Sequence, residues 1–182
     1  DEMCKLTPEG SVSMIRKKLL SLLGAVVLTG CVSTSPTKDI QIDSAADPKA
    51  NFSGYKTYAW LGAATIINDP EGQWEPPGFD ADSEITFLIN RELRARGMSE
   101  TTSSPDMIVT FAAGVDMEAM ELKVELVEAP LGGLVVALVD AETGFIIWTG
   151  LAVADVLETP DLAASKARLD YAVKALFKQL PK

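Results

Sequence analysis

Leu134-Val135-Val136-Ala137-Leu138-Val139, then Asp140-Ala141-Glu142-Thr143-Gly144, then Phe145-Ile146-Ile147-Trp148-Thr149-Gly150-Leu151-Ala152-Val153 decides the fold. Two β-branched, aliphatic runs flank five residues of turn chemistry. Gly144 can take the positive φ that closes a hairpin. Neither run alternates strictly between apolar and polar, as a strand with one wet face does. Both are therefore central strands of a sheet that either has its second face covered or presents apolar side chains there.

Working outward, Met107 to Val115 follows Pro105-Asp106 and reads as a third strand, and Leu122 to Val127 as a fourth. On the N-terminal side, Asp39-Ile40-Gln41-Ile42-Asp43 alternates with period two, and Lys56 to Leu61 is aromatic and β-favouring. Asn68 to Gly78 is rich in Pro and Gly and reads as a loop.

Two helices complete the domain. Ile85, Leu88, Ile89 and Leu93 make one apolar stripe at helical spacing. Asp80 or Asp82 can cap its start, Arg91, Arg94 and Arg96 suit its C-terminal dipole, and Gly97 suits a left-handed cap. The last helix is expected to open at Thr159 with Pro160 in its first turn, and to bury Leu162, Leu169, Val173, Leu176, Phe177 and Leu180 before Pro181 ends it. The order strand, strand, helix, four strands, helix predicts an α+β two-layer sandwich over residues 39–182. Its sheet is expected to be mostly antiparallel with both helices on one face.

Residues 1–38 carry a different signal. After Met14 come Arg16, Lys17 and Lys18, then about ten apolar residues through Leu28, half of the roughly 20 that a membrane-spanning helix needs. Residues 14–30 therefore read as a signal peptide. Leu28-Thr29-Gly30-Cys31 resembles the bacterial lipobox. The resemblance implies cleavage before Cys31, a diacylglyceryl thioether on its sulfur, and a palmitate-type N-acyl chain on its freed amine. Each buried CH₂ contributes ~0.8 kcal/mol, so two or three chains make a firm anchor where one is marginal. Residues 1–13 are acidic where a signal peptide should begin basic, and are expected to be a start-site artefact ahead of Met14. Residues 31–38 are polar and form a tether. Val32, in place of the Asp that commonly holds Gram-negative lipoproteins at the inner membrane, implies the periplasmic side of the outer membrane. The inner membrane and the cell surface remain the alternatives.

Composition narrows the function. The chain of 182 residues has no His, which removes His-based triads and His-ligated metals. Its net charge is −10, which disfavours nucleic acid as a partner. Removing residues 1–30 takes away Lys5, Arg16, Lys17, Lys18, Asp1, Glu2 and Glu9, so 12 basic and 23 acidic residues remain. Cys4 is removed too, so no disulfide can form within the mature chain and its core must hold it.

Few constellations suggest chemistry. Ser53-Gly54-Tyr55-Lys56 has Ser-x-x-Lys spacing without the companion elements of penicillin-recognising enzymes. Asp80-Ala81-Asp82-Ser83-Glu84 lacks the Gly and distant Glu of a Ca²⁺ loop and is better explained by helix capping. Asp116, Glu118, Glu121, Glu125 and Glu128 form an acidic run beside Lys123, best read as a solvated face. Met117, Met120, Trp60 and Trp148 read as core before they read as a ligand site. No metal ligands, cofactor or catalytic residues are assigned, and the covalent lipid at Cys31 is the one attached group expected. Val135, Ala137, Val139, Ile146 and Trp148 are the candidate apolar interaction face, available to a second subunit, a lipid tail or another envelope protein.

Asn51-Phe52-Ser53-Gly54-Tyr55-Lys56-Thr57-Tyr58-Ala59-Trp60, Ser104-Pro105-Asp106-Met107-Ile108-Val109 and Gly133 through Asp140 with Gly144 and Ile147-Trp148-Thr149-Gly150 occur in that order, ahead of a helix ending Leu180-Pro181. Together these resemble the bacterial lipoprotein family called domain of unknown function 4136, from about residue 39 to residue 182. Thr149 stands where a basic residue is usual in that family. The resemblance implies a periplasm-facing lipoprotein and brings no catalytic residues. The reading is thus a lipid-anchored, non-enzymatic binding or assembly module. The alternative is an envelope hydrolase using carboxylates or Ser53 with Lys56.

Overall fold

The computed structural model describes residues 37–117, 130–157 and 161–182. Outside them lie Cys31 with its lipobox, the expected strand Leu122–Val127, the acidic residues from Glu118 to Glu128, Met120, and the Thr159-Pro160 helix start.

Among the described residues six strands form one sheet: β1 (Gln41–Ala46), β2 (Thr57–Asn68), β3 (Ser99–Glu100), β4 (Met107–Asp116), β5 (Leu131–Asp140) and β6 (Ile146–Asp155), in the order β1-β6-β5-β4-β2-β3. Helices α1 (Ala81–Ala95) and α2 (Leu162–Gln179) complete the fold, which is α+β as expected.

The sheet is mixed, not mostly antiparallel. The β1–β6, β6–β5 and β5–β4 pairs are antiparallel, whereas β2 runs parallel to both β4 and β3. The cause is α1. It carries the chain from the end of β2 back to the level of its start, so β4 must run alongside β2 in the same direction. The pair is a strand–helix–strand crossover where hairpins were expected.

β2 is also twice the expected length. The sequence suggests a break after Leu61, but the strand continues to Asn68 through a bulge between Trp60 and Gly62. Gly62 has φ 141°, a backbone state that L side chains rarely adopt. A glycine that looks like punctuation is therefore the residue that lets the strand go on.

One side of the sheet is the core. Trp60, Val109, Leu138 and Trp148 lie in register across β2, β4, β5 and β6. Ile85, Leu88, Ile89 and Leu93 of α1 and Ala172, Val173, Leu176 and Phe177 of α2 are buried in the same cluster. The Trp148 and Phe177 rings lie 5.6 Å apart. Both helices therefore occupy one face, as the apolar stripes imply.

Helix ends follow local chemistry. Asp80, not Asp82, is the α1 N-cap, and its carboxylate accepts from the Ser83 backbone N–H at 3.0 Å and the Ser83 hydroxyl at 2.7 Å. Gly97 takes φ 81°, which lets Gly97 N–H bond Arg94 O and Met98 N–H bond Leu93 O. Helix α2 is capped by Asp161, whose carboxylate accepts from Ala164 N–H at 3.2 Å. Leu162 is half exposed, contrary to the expected stripe; the buried side of α2 begins at Arg168 instead. Arg91 reaches Asp170 at 2.5 Å and Lys166 reaches Glu84 at 2.7 Å, tying the helices together.

Candidate functional site

The second face of the sheet is built by residues that alternate with the core. Reading across β2, β4, β5 and β6, one row is Ala59, Ile108, Val139 and Ile146. The next is Gly62, Thr110, Ala137 and Thr149, followed by Ala64, Ala112, Val135 and Leu151, then Ile66, Gly114, Gly133 and Val153. None of these sixteen residues is charged. Ile146 is 58% exposed and Val135 41%, whereas Leu134, Val136 and Leu138, which point to the helices, are at most 4% exposed.

Four of the five residues expected on this face are there: Val135, Ala137, Val139 and Ile146. Trp148 is not. It is 1% exposed, on the helix side, in register with Leu138. A register shift between Leu138 and Val139 places Ile147 as an extra residue between Trp148 and Ile146. Simple alternation from Ile146 therefore assigns Trp148 wrongly. Its indole N–H is buried with no acceptor among the described residues, so packing alone holds the ring.

The connection after β2 does not cover this second face. Gln73, Trp74, Pro77 and Phe79 line a cavity on the opposite side, together with Ile85, Leu134, Leu169 and Ala172. This cavity of about 830 Å³ sits near the N-terminal turns of both helices. Its wall is mainly apolar, with one ion pair beside it. Arg168, 9% exposed, donates to both carboxylate oxygens of Asp39, at 2.7 Å to Oδ1, and to the Asp155 carbonyl at 3.0 Å. The Arg168 hydrogen bond holds the Asp39 carboxyl below its ordinary range, against a smaller opposing effect of burial.

The sequence-quoted motifs turn out to be fastenings. Asp106 Oδ2 accepts from Lys56 N–H at 2.9 Å, Thr57 N–H at 2.8 Å and the Thr57 hydroxyl at 2.9 Å. These bonds lower its carboxyl pKa, backbone donors first. Tyr55 donates its hydroxyl to Asp140 Oδ2 at 2.7 Å, and Asp140 Oδ1 holds Thr143 N–H at 2.7 Å across the β5–β6 turn. Burial, then that bond to Asp140, pushes the Tyr55 phenol up to about 12. Asn90 was not anticipated. From α1 its Oδ1 accepts from both Tyr58 Oη at 2.8 Å and Trp60 Nε1 at 3.1 Å, so one helix side chain holds two strand aromatics. Its position on the inward side of α1 was legible; its partners were not.

The candidate catalytic residues do not assemble. Lys56 Nζ donates to the Ser53 carbonyl at 2.7 Å, while the Ser53 hydroxyl donates to Asn51 Oδ1 at 2.8 Å. Ser53 therefore lacks the neighbouring base a nucleophile needs. Asp116, the one described member of the acidic run, is 6% exposed and accepts from Asn68 Nδ2 at 2.8 Å. Among the described residues no three acidic or Cys side chains converge as metal ligands, and no helix is long and apolar enough to cross a membrane.

Comparison with known proteins is consistent with this geometry. No curated protein matches the chain. Among solved structures, a DUF4136 family protein from Bacteroides thetaiotaomicron is 12% identical, with TM-score 0.54, over 78% of this chain and 95% of that one. A PDZ domain protein from Parabacteroides distasonis is 15% identical, with TM-score 0.51, over 82% of this chain and 38% of that one. PelC from Paraburkholderia phytofirmans, solved as a dodecamer, is 15% identical, with TM-score 0.50, over 78% of this chain and 99% of that one. At such identities these likenesses speak to the fold. The family profile described as Domain of unknown function (DUF4136) matches residues 42–182, and the chain belongs to that family.

Proposed function

We propose that this chain is a lipid-anchored, periplasm-facing lipoprotein of the bacterial envelope that works as a non-enzymatic binding or assembly module. The observation that carries the binding role is the second sheet face: sixteen in-register positions without a charge, on a chain of net charge −10. A half-exposed apolar sheet face of this kind is what protein interfaces and lipid-facing surfaces use. Leu28-Thr29-Gly30-Cys31 after a short apolar run supports the anchor, and Val32 supports the outer membrane as its destination. The face would meet an envelope protein, an apolar ligand or a second subunit. The dodecameric state of PelC, which shares the fold, supports assembly as the task.

The anchor is tested by Cys31→Ser. The wild-type chain should incorporate labelled palmitate and fractionate with outer membranes. The variant should do neither. Unchanged processing and membrane fractionation of the variant would sink the proposal.

A further inference from the structure

The sheet has an unfinished edge. β3 pairs with β2 only at Thr57 and Tyr58, and among the described residues no strand continues that pairing along Gly62–Asn68. Every residue from Leu61 to Ile67 except Gly62 carries a side chain, all seven positions are exposed, and Leu61, Ile66 and Ile67 are 75%, 54% and 52% exposed. From Thr57 to Asn68 the strand contains no charge and no Pro. Proteins normally blunt such an edge with Lys, Pro or a very short strand, because a row of free N–H and C=O groups templates the addition of another strand. The bulge at Leu61 twists the strand only at its start; beyond Gly62 the ladder to β4 is regular.

The opposite edge is protected in the usual manner. β1 contains Asp43 and is flanked by Asp39 and Asp47. Two β1 edges would bring Asp43 and Asp47 of each copy together, with Asp39 already held by Arg168, whereas β2 itself is uncharged and is flanked by one charge of each sign, Lys56 before it and Asp69 after it. On an acidic chain the neutral edge is the place where two copies can approach without repulsion.

We infer that the β2 edge is a self-association surface, at which Gly62–Ile67 pairs antiparallel with the same residues of a second copy. The arrangement is isologous and closes at two chains. β3 sets its limit, since the partner strand must end where Ser99–Glu100 already occupies the edge. The product is one continuous sheet across both copies, and the four uncharged rows of each second face, which share Ala64 and Ile66 with this edge, join into one surface. The inference concerns the edge and does not depend on lipidation at Cys31.

The test is photocrosslinking in cells of the full chain carrying a benzophenone amino acid at Ala64, with the same probe at Ser44 on β1 as the comparison. The expected result is an adduct of twice the chain's mass from position 64, with β2 peptides of two copies joined in its mass spectrum, and none from position 44. Adding Ile66→Lys should cut that adduct at least tenfold while leaving the thermal midpoint within a few degrees, since Ile66 is exposed. No dimeric adduct from position 64, an adduct with a different protein, or a junction to β1, β5 or β6 of the second copy would overturn the inference. Membrane fractionation of Cys31→Ser reads the anchor separately, so the two ideas can fail independently.

Discussion

The Trp148 ring lies across the face of Gly150, two residues along the same strand: a Cβ placed on Gly150 would come within 2.4 Å of Trp148 Cη2 and 2.9 Å of Leu176 Cδ2. The largest side chain of the core is thus seated by the absence of a side chain. Gly150→Ala must displace the ring or α2, and overpacking of this kind costs about 1–3 kcal/mol. The expected outcome is a thermal midpoint lower by several degrees, measured by circular dichroism, with loss of near-ultraviolet tryptophan signal.

The Asp39–Arg168 pair makes stability depend on acid. The Asp39 carboxyl is held below its ordinary 3.8 when folded, chiefly by the Arg168 hydrogen bond. Its contribution is therefore fully present above that ordinary value and is lost as pH falls through the lowered folded value. Asp39→Asn should cost about 1–3 kcal/mol at neutral pH, because it removes a charge-assisted partner from a nearly buried guanidinium. Urea unfolding from pH 7 down to pH 2 should show a shallower acid limb in the variant; an unchanged limb would contradict the assignment.

Alkali tests the opposite side of the fold. With the Tyr55 phenol raised to about 12 from an ordinary 10.0, the neutral phenol is favoured in the folded state. Its contribution is complete below pH 10 and disappears as pH rises toward about 12. Ultraviolet titration of the three tyrosines should therefore show late components from Tyr55 and from the buried Tyr58, whose phenol burial also raises, and Tyr55→Phe should remove one of them.

Asn90→Ala leaves the Tyr58 hydroxyl and the Trp60 indole N–H without their shared acceptor. Tyr58 is fully buried, so the loss should be about 1–3 kcal/mol. Asn90→Asp, which keeps an acceptor oxygen, should recover most of the stability in chemical denaturation.

The second sheet face should bind a hydrophobic fluorescent dye. Val135→Lys together with Ile146→Lys places two charges among its rows and should reduce that fluorescence severalfold, with the thermal midpoint changed by only a few degrees. Equal fluorescence in wild type and variant would remove this face as the functional surface.

Much of this was legible in the linear chain. The α1 stripe, the Gly97 cap and the β5–β6 hairpin all follow from interactions a few residues apart. The direction of β2 relative to β4 was not legible, because it depends on where α1 delivers the chain. Nor was the side to which Trp148 points, since one bulged residue at Ile147 inverts the alternation on which such a reading relies. The open edge of β2 was hidden by Gly62, which looks like a stop in one dimension and serves as a bulge in three. Local patterns are set by neighbours in sequence, and those are written in the chain. Register, strand direction and which edge stays bare are set by pairing between distant segments, and only the assembled sheet contains that information.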